Sequence, residues 1–256
     1  MIKSLFSGIT ALKANTKAMG VIGDNIANVN TTAFKGARLD FANLLNQSVG
    51  GYTGEEVGSG VTSSKLVPDW TQGSIQNTTN STDVAINGNG FFVVKDDDGN
   101  EYYTRAGAFH FDKDGYLVDH NGYKVQGDGG DLQLSDTTGS SSISINSVGV
   151  ITAFSAGDTS GTEVGTISLA TFPCNWGLGK MDKNLYTTTA LSGSASKSAP
   201  GSGGTGTVSY MSLEMSNVDL ATEFGKMITT QRSFQAAAKV ITASDEVLQS
   251  LLSIKR

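Results

Sequence analysis

Apolar residues recur every seven positions along the C-terminal 40 residues, at Leu220, Met227, Phe234, Ile241 and Leu248. Between them, on alternating spacings of four and three, stand Phe224, Gln231, Ala238, Asp245 and Leu252. From Asn217 to Arg256 there is no Pro, and Gly225 is the only Gly. The pattern predicts a long helix that buries a narrow heptad stripe against other helices. About 35 helical residues would span roughly 50 Å, longer than a small domain requires, so part of the stripe is expected to meet other chains. Ser216 or Asn217 is the expected N-cap, with Asp219 in the first turn.

The start of the chain mirrors its end. Ile2, Leu5, Ile9, Leu12, Met19 and Ile26 follow the same spacing, and Thr16 and Gly23 fill the mixed track. A helix is expected over residues 1–28, closing between Ala27 and Asn30, where Asn and Thr compete for backbone hydrogen bonds. Two readings follow from periodicity. The terminal helices pair as a coiled coil within an assembly, or they close an ordinary domain as core helices.

Between the helices the pattern changes. Phe34, Leu39, Phe41, Leu44 and Leu45 show weak periodicity and precede a Gly/Ser/Thr-rich run with Gly50, Gly51, Gly54, Gly58 and Gly60. Residues 31–75 are therefore expected to be a flexible arm or linker that needs a surface to lie on. Over residues 76–186 the period falls to two. Asp98-Gly99, Asp114-Gly115 and Asn121-Gly122 punctuate short apolar runs, which predicts hairpins in a compact antiparallel β-domain. Residues 187–212 are expected to form a Gly/Ser-rich linker and a short strand, and residues 213–256 the second helical segment. The fold class is thus α+β, an antiparallel β-domain flanked by heptad helices.

Composition adds limits. Charged residues make up 16% and hydrophobic residues 38%, with 32 Gly filling much of the difference, which suits β-structure with many tight turns. Net charge is −6 and no basic cluster is longer than two residues, which argues against a nucleic-acid surface. Cys174 is the only cysteine, so no intrachain disulfide can form, and a small buried role is expected for it. No secretory signal and no apolar run long enough to span a membrane is read in the sequence.

The search for chemistry finds little. Gly201, Gly203 and Gly206 spell G-x-G-x-x-G without the flanking strand and helix that a dinucleotide site needs. Asp96–Asn100 and Asp112–Gly115 resemble fragments of calcium loops but read as solvated turns. His110 and His120 lack the neighbours of a zinc site. No enzyme activity, cofactor or metal is expected. Trp70, Trp176, Tyr102 and Tyr103 would serve a β-rich adhesion or carbohydrate-binding module if they clustered on the surface; packing in a core is their simpler explanation.

Four stretches carry a family resemblance. They are Ser7-Gly8-Ile9 through Asn25-Ile26-Ala27-Asn28 with Phe34-Lys35; Asp83 to Phe92 with Tyr103 to Phe109; Ile167 to Phe172 with Asn184-Leu185-Tyr186; and Leu213 to Leu220 through Gln231-Arg232 and Asp245. In this order they resemble the flagellar axial family, the rod and hook proteins of the bacterial flagellum. The resemblance implies terminal helices packed into the inner tube of a homopolymeric helical filament, a β-domain outside it, and contacts with adjacent rod, hook, junction and cap proteins. It also implies torque transmission and export by the flagellar type III apparatus without a cleaved signal. Nucleic acid and membrane insertion have no part in it. The implied assembly residues are Leu5, Ile9, Leu12, Met19, Ile26, Asn28, Phe34, Leu220, Phe224, Met227, Gln231, Phe234, Ile241 and Leu248. The length leaves no room for the extra outer domain of hook proteins, which favours a rod subunit. Asn217-Val218-Asp219-Leu220, Met227 to Arg232 and the ending Leu252 to Arg256 are similar to hook proteins, so both members stay open.

Overall fold

The computed structural model describes residues 2–44, 46–48, 56–134, 140–155 and 161–254. Leu45, Gly50, Gly51 and Gly54 of the expected arm lie outside the described residues. The chain divides into two compact units. One comprises Met1–Val29, Gly36–Asp69 and Val218–Arg256; the other comprises Asn30–Lys35 and Trp70–Asn217.

The first unit is built on two helices, α1 (Ile2–Ala27) and α2 (Leu220–Ile254). Asn28 closes α1 by donating from Nδ2 to the Asp24 carbonyl at 2.9 Å. At the start of α2 the cap is Asp219, not Ser216 or Asn217. Its carboxylate accepts from the backbone N–H of Ala221 and Thr222, at 3.3 and 3.2 Å, and from the Thr222 hydroxyl; the hydroxyl bond first, and then the two N–H bonds, hold its pKa below the ordinary value. The helices run antiparallel. Ser4 Oγ lies 3.3 Å from Ser244 Oγ, a Cβ on Gly8 would fall 2.9 Å from Ile241 Cγ1, and Asn25 bonds to Glu223.

The expected arm lies on its own chain's α1. Strand Ala37–Asn43 pairs antiparallel with Val61–Pro68, and Asn46–Ser48 pairs with Glu56–Gly58. Lys17 Nζ reaches Ser63 Oγ at 3.0 Å, and Thr10 Oγ1 accepts from the Val61 N–H at 3.3 Å.

The second unit is the β-domain, antiparallel throughout. Strand Phe91–Lys95 is its hub. It pairs with Glu101–Thr104 on one side and shares the other side between Lys124–Gly127 and Leu169–Thr171. Phe91, Phe92, Val93 and Val94 are all buried. Phe92 and Val94 face the main core with Ile86, Leu117, Val125 and Leu169, while Phe91 and Val93 face a second cluster with Tyr103, Ala170 and Tyr186. Burial on both faces explains a continuous apolar run where a half-buried strand would alternate. A further sheet joins Ser140–Ile145, Val150–Ser155 and Thr162–Thr166. The expected turns form, with Gly99, Gly115 and Gly122 at positive φ. Residues 187–212 contribute strands to the domain: Ser196–Ser198 pairs with Leu169–Thr171, and Thr207–Tyr210 pairs with Val84–Asn87. The low-complexity composition hides this, because small Ser, Thr and Gly side chains pair by backbone.

Gly107 sets a close approach at the edge of the core. A Cβ there would sit 1.7 Å from the Val84 carbonyl oxygen, and Val84 is wholly buried. Gly107→Ala is expected to lower the stability of the β-domain by about 3 kcal/mol, measured by urea unfolding.

Candidate functional site

The residues named from periodicity divide by helix. On α2, Met227, Phe234, Ile241 and Leu248 are half-buried, and Glu223, Thr230, Ala237 and Ser244 complete the shielded track on alternating spacings of four and three. Of the second track expected from sequence, Phe224, Gln231, Asp245 and Leu252 are exposed and Ala238 is half-buried, and Leu220 of the first track is exposed as well. On α1 the most buried positions are Gly8, Ala14, Ala18, Ile22 and Asn25. Leu5, Leu12, Met19 and Ile26 are half-buried and Ile9 is exposed. The reason is steric. α1 offers small residues to its partners, so shielding on α2 follows the side facing α1 rather than the side richest in apolar residues.

This leaves large apolar side chains uncovered on α2. Leu220, Phe224 and Ile228 are exposed towards its N-terminus, and Val240, Val247 and Leu251 towards its C-terminus. On the heptad spacing Phe224 and Ile228 fall on one flank of the shielded track and Val240 and Val247 on the other, Leu220 and Leu251 continue the track itself past its shielded ends, and Leu252 is exposed on the flank of Phe224. Phe6 and Ile9 of α1 are exposed as well.

A polar clasp sits at the other end of the helix pair. Asn25 is buried, and its amide takes both backbone polar groups of one residue: Nδ2 donates to the Ala37 carbonyl at 2.8 Å, and Oδ1 accepts the Ala37 N–H at 3.0 Å. Nδ2 also donates to Glu223 Oε2 at 3.2 Å, and Lys226 Nζ holds Glu223 Oε1 at 2.6 Å. The ladder explains why Ala37 is available. The Asp69 N–H bonds to the Gly36 carbonyl, which makes Ala37 and Pro68 a non-hydrogen-bonded pair whose peptide groups point away from each other.

A second buried network closes the β-domain. Glu214 has no solvent exposure in its side chain. Its Oε1 accepts from Lys35 Nζ at 2.5 Å and from the Gly73 N–H at 3.0 Å, and its Oε2 accepts from Arg105 Nη1 at 3.2 Å. Lys35 also donates to the Thr71 carbonyl, and Arg105 Nη2 to the Gly88 carbonyl. Burial lowers the Arg105 pKa, and the Glu214 carboxylate opposes that shift. Phe34, buried beside Lys35, has Lys180 Nζ 4.6 Å from its ring centre, and its carbonyl accepts from the Asn217 N–H. Sequence reasoning named Phe34 and Asn28 but missed Asn25, Lys35, Arg105, Glu214 and Glu223 as contact residues.

The other candidates take structural places. Trp70, Phe91 and Tyr186 pack their rings together, Tyr103 meets Phe172, and Tyr102 meets Tyr123, so no surface aromatic cluster forms from them; Trp176 is exposed. Cys174 is half-buried rather than buried. His110 and His120 face each other edge to face at 6.4 Å. Gly201 and Gly203 turn the chain at positive φ. Among the described residues no group of three or more His, Cys, Asp or Glu could hold a metal, and no helix is long and apolar enough to cross a membrane.

Comparison with known proteins bears on the same segments. Residues 5–35 match the family described as flagella basal body rod protein, residues 85–153 the flagellar hook protein FlgE/F/G D1 domain, and residues 212–254 the flagellar basal body rod FlgEFG protein C-terminal family. The flagellar basal-body rod protein FlgG of Bacillus subtilis (strain 168) is 40% identical over 269 residues, covering 100% of both chains. The chain belongs to the flagellar rod and hook protein family. It is a structural protein of the flagellar axis. FlgG of Agrobacterium fabrum is 34% identical over 258 residues, 96% of this chain and 97% of that one. The flagellar hook protein FlgE of Treponema pallidum is 44% identical over 138 residues, which is 50% of this chain and 30% of that one. Within the family frame the two terminal matches contain Lys35 and Glu214, which meet on one ion pair.

Two outcomes test the buried network. Glu214→Gln leaves two cations without their anion and is expected to cost about 3–5 kcal/mol in urea unfolding. Tyr186 is pushed up to about 12 by burial first, with Arg105 opposing and Glu214 adding. Tyr103 is pushed up to about 12 by burial and then by Glu101. A phenol whose folded pKa is raised contributes stability that is complete below the unfolded value and lost as pH climbs through the folded one. The urea midpoint is therefore expected to fall between pH 10 and about 12, and less steeply in Tyr186→Phe.

Proposed function

We propose that this chain is a rod-type subunit that polymerises into the tubular flagellar axis through α1 and α2, paired as a coiled coil. The carrying observation is the pair of apolar flanks on α2. Phe224 and Ile228 on one side, and Val240 and Val247 on the other, are exposed in the single chain, with Leu220 and Leu251 exposed at the two ends of the shielded track and Leu252 on the Phe224 side. Patches of this kind on a soluble chain mark interaction surfaces. Two different patches, at different levels and on opposite sides, suit a head-to-tail contact between copies, and such contacts generate open helical filaments when the rotation does not close. Phe34, Asn28 and the shielded residues Met227, Phe234, Ile241 and Leu248 then serve the subunit's own framework, while Leu220, Phe224 and Gln231 meet neighbours.

The rod reading, as against hook, is supported by full-length similarity to FlgG proteins, where the hook relative aligns with half of the chain. Its role is mechanical: to pass torque along the axis, next to other axial proteins and an assembly cap. Export through the flagellar type III apparatus suits a chain whose one cysteine precludes internal disulfides. Unpaired apolar flanks leave part of the burial energy to be gained at the growing tip, where it offsets the entropy of ordering. No catalytic step belongs to this reading.

Phe224→Ser with Ile228→Ser is expected to change monomer stability by less than about 0.5 kcal/mol for each exposed site while abolishing polymers in sedimentation. Polymers equal in amount to the parent chain's would contradict the reading.

A further inference from the structure

We infer that Asn25 determines the register in which α1, α2 and the Ala37–Asn43 strand lock together, and so which apolar side chains lie level with one another on the outer surface. The heptad pattern alone specifies this weakly. A slip of α2 by one heptad, about 10 Å along the axis, would replace Ile241 opposite Gly8 by Phe234 or Leu248, another large apolar residue. The small residues of α1, Gly8, Ala14 and Ala18, discriminate little among them.

The clasp does discriminate. Asn25 engages both of its donor hydrogens and its acceptor oxygen, on Ala37 and on Glu223. A one-heptad slip brings Thr230 or Ser216 to the place of Glu223. It takes Glu223 away from the Asn25 amide and offers that amide only a shorter, uncharged hydroxyl, so a charge-assisted hydrogen bond between two buried residues is lost or weakened. A buried polar group at one level of a helix seam is a known device for fixing register. Asp at this position would lose both donors and set a second carboxylate against Glu223; Leu would leave the Ala37 N–H and carbonyl without these bonds. The Ala37 bonds tie the strand to the same point, so one side chain places three elements. Because Phe6 and Ile9 of α1 and the flanks of α2 are all exposed, register sets the pattern that the chain presents. That consequence rests on the polymerisation proposed above; the register itself does not.

The test is intrachain disulfide trapping in full-length chain carrying Cys174→Ser. Ser4→Cys with Ser244→Cys reports the native register, since the two hydroxyls are 3.3 Å apart. Ser4→Cys with Ala237→Cys, and with Leu251→Cys, report slips of one heptad either way. With Asn25 present, the first pair is expected to close and the other two to stay mostly open. Asn25→Ala, and independently Glu223→Ala, are expected to lower closure of the first pair by about tenfold, the scale of losing buried hydrogen bonds, and to raise one slipped pair. Helix content is followed by circular dichroism. Closure of the first pair unchanged in helical Asn25→Ala would overturn the inference. Loss of helix with no slipped disulfide would overturn it too, since Asn25 would then act on stability and not on register. Trapping is read on monomer, so a chain that keeps its register but forms no polymer would contradict the proposed function alone.

Discussion

The β-domain depends on a carboxylate that never meets water. Glu214 is enclosed by Lys35 and Arg105, which lie 179 and 109 residues away in sequence, and by the N–H of Gly73. An ionised group in such a place must be paired and hydrogen-bonded, because desolvation of a lone charge exceeds what packing returns. The segment that ends at Lys35 and the strand Ser212–Glu214 can therefore occupy one arrangement on the domain. Gly73 admits the approach: a Cβ there would lie 2.0 Å from the Met215 carbonyl oxygen. Ala33 adds a backbone tie, donating its N–H to the Glu214 carbonyl.

The helical unit solves a different problem. It must hold two long helices together while leaving surface for other subunits. The two helices divide the work. α1 supplies Gly8, Ala14 and Ala18, which let neighbours come close; α2 supplies Met227, Phe234, Ile241 and Leu248, which fill the space. Since the shielded track of α2 also includes Glu223, Thr230 and Ser244, a good part of its apolar content is left outside. In the proposed function those outer flanks are where neighbouring copies dock, and the polar clasp at Asn25 keeps the pattern of flanks constant from one subunit to the next.

Much of this was legible in the sequence because it is local. Helix periodicity pointed to a helix at each end of the chain, although Leu213 and Glu214, expected in the second helical segment, belong to the strand Ser212–Glu214 and α2 begins at Leu220. The turns at Gly99, Gly115 and Gly122 announced the hairpins because positive φ at those points calls for Gly. What escaped is non-local or depends on a partner's size. Which of the two tracks beside Met227 and Phe234 is shielded turns on α1's small residues, and no period in α2 encodes that. The arm reads as a linker in the sequence because of its Gly/Ser/Thr-rich run, part of which lies outside the described residues. Yet Gly60, at positive φ, is pressed against Thr10 of α1, with a would-be Cβ 2.3 Å from Oγ1. Lys35, Arg105 and Glu214 are ordinary surface residue types until the chain brings them together, and nothing in their spacing marks them. The family resemblance pointed to the right segments, including Phe34-Lys35, without revealing what the lysine binds.

Electron microscopy of the purified full-length chain beside a chain lacking residues 1–30 and 217–256 tests the account most directly. The shortened chain keeps Lys35, Arg105 and Glu214, so its β-domain retains the network that closes it. The account predicts straight tubes from the full-length chain and folded monomers from the shortened one. Full-length chain that stayed monomeric at high concentration, with both helices resistant to protease, would contradict it and would make the helix pair the closed core of an ordinary domain.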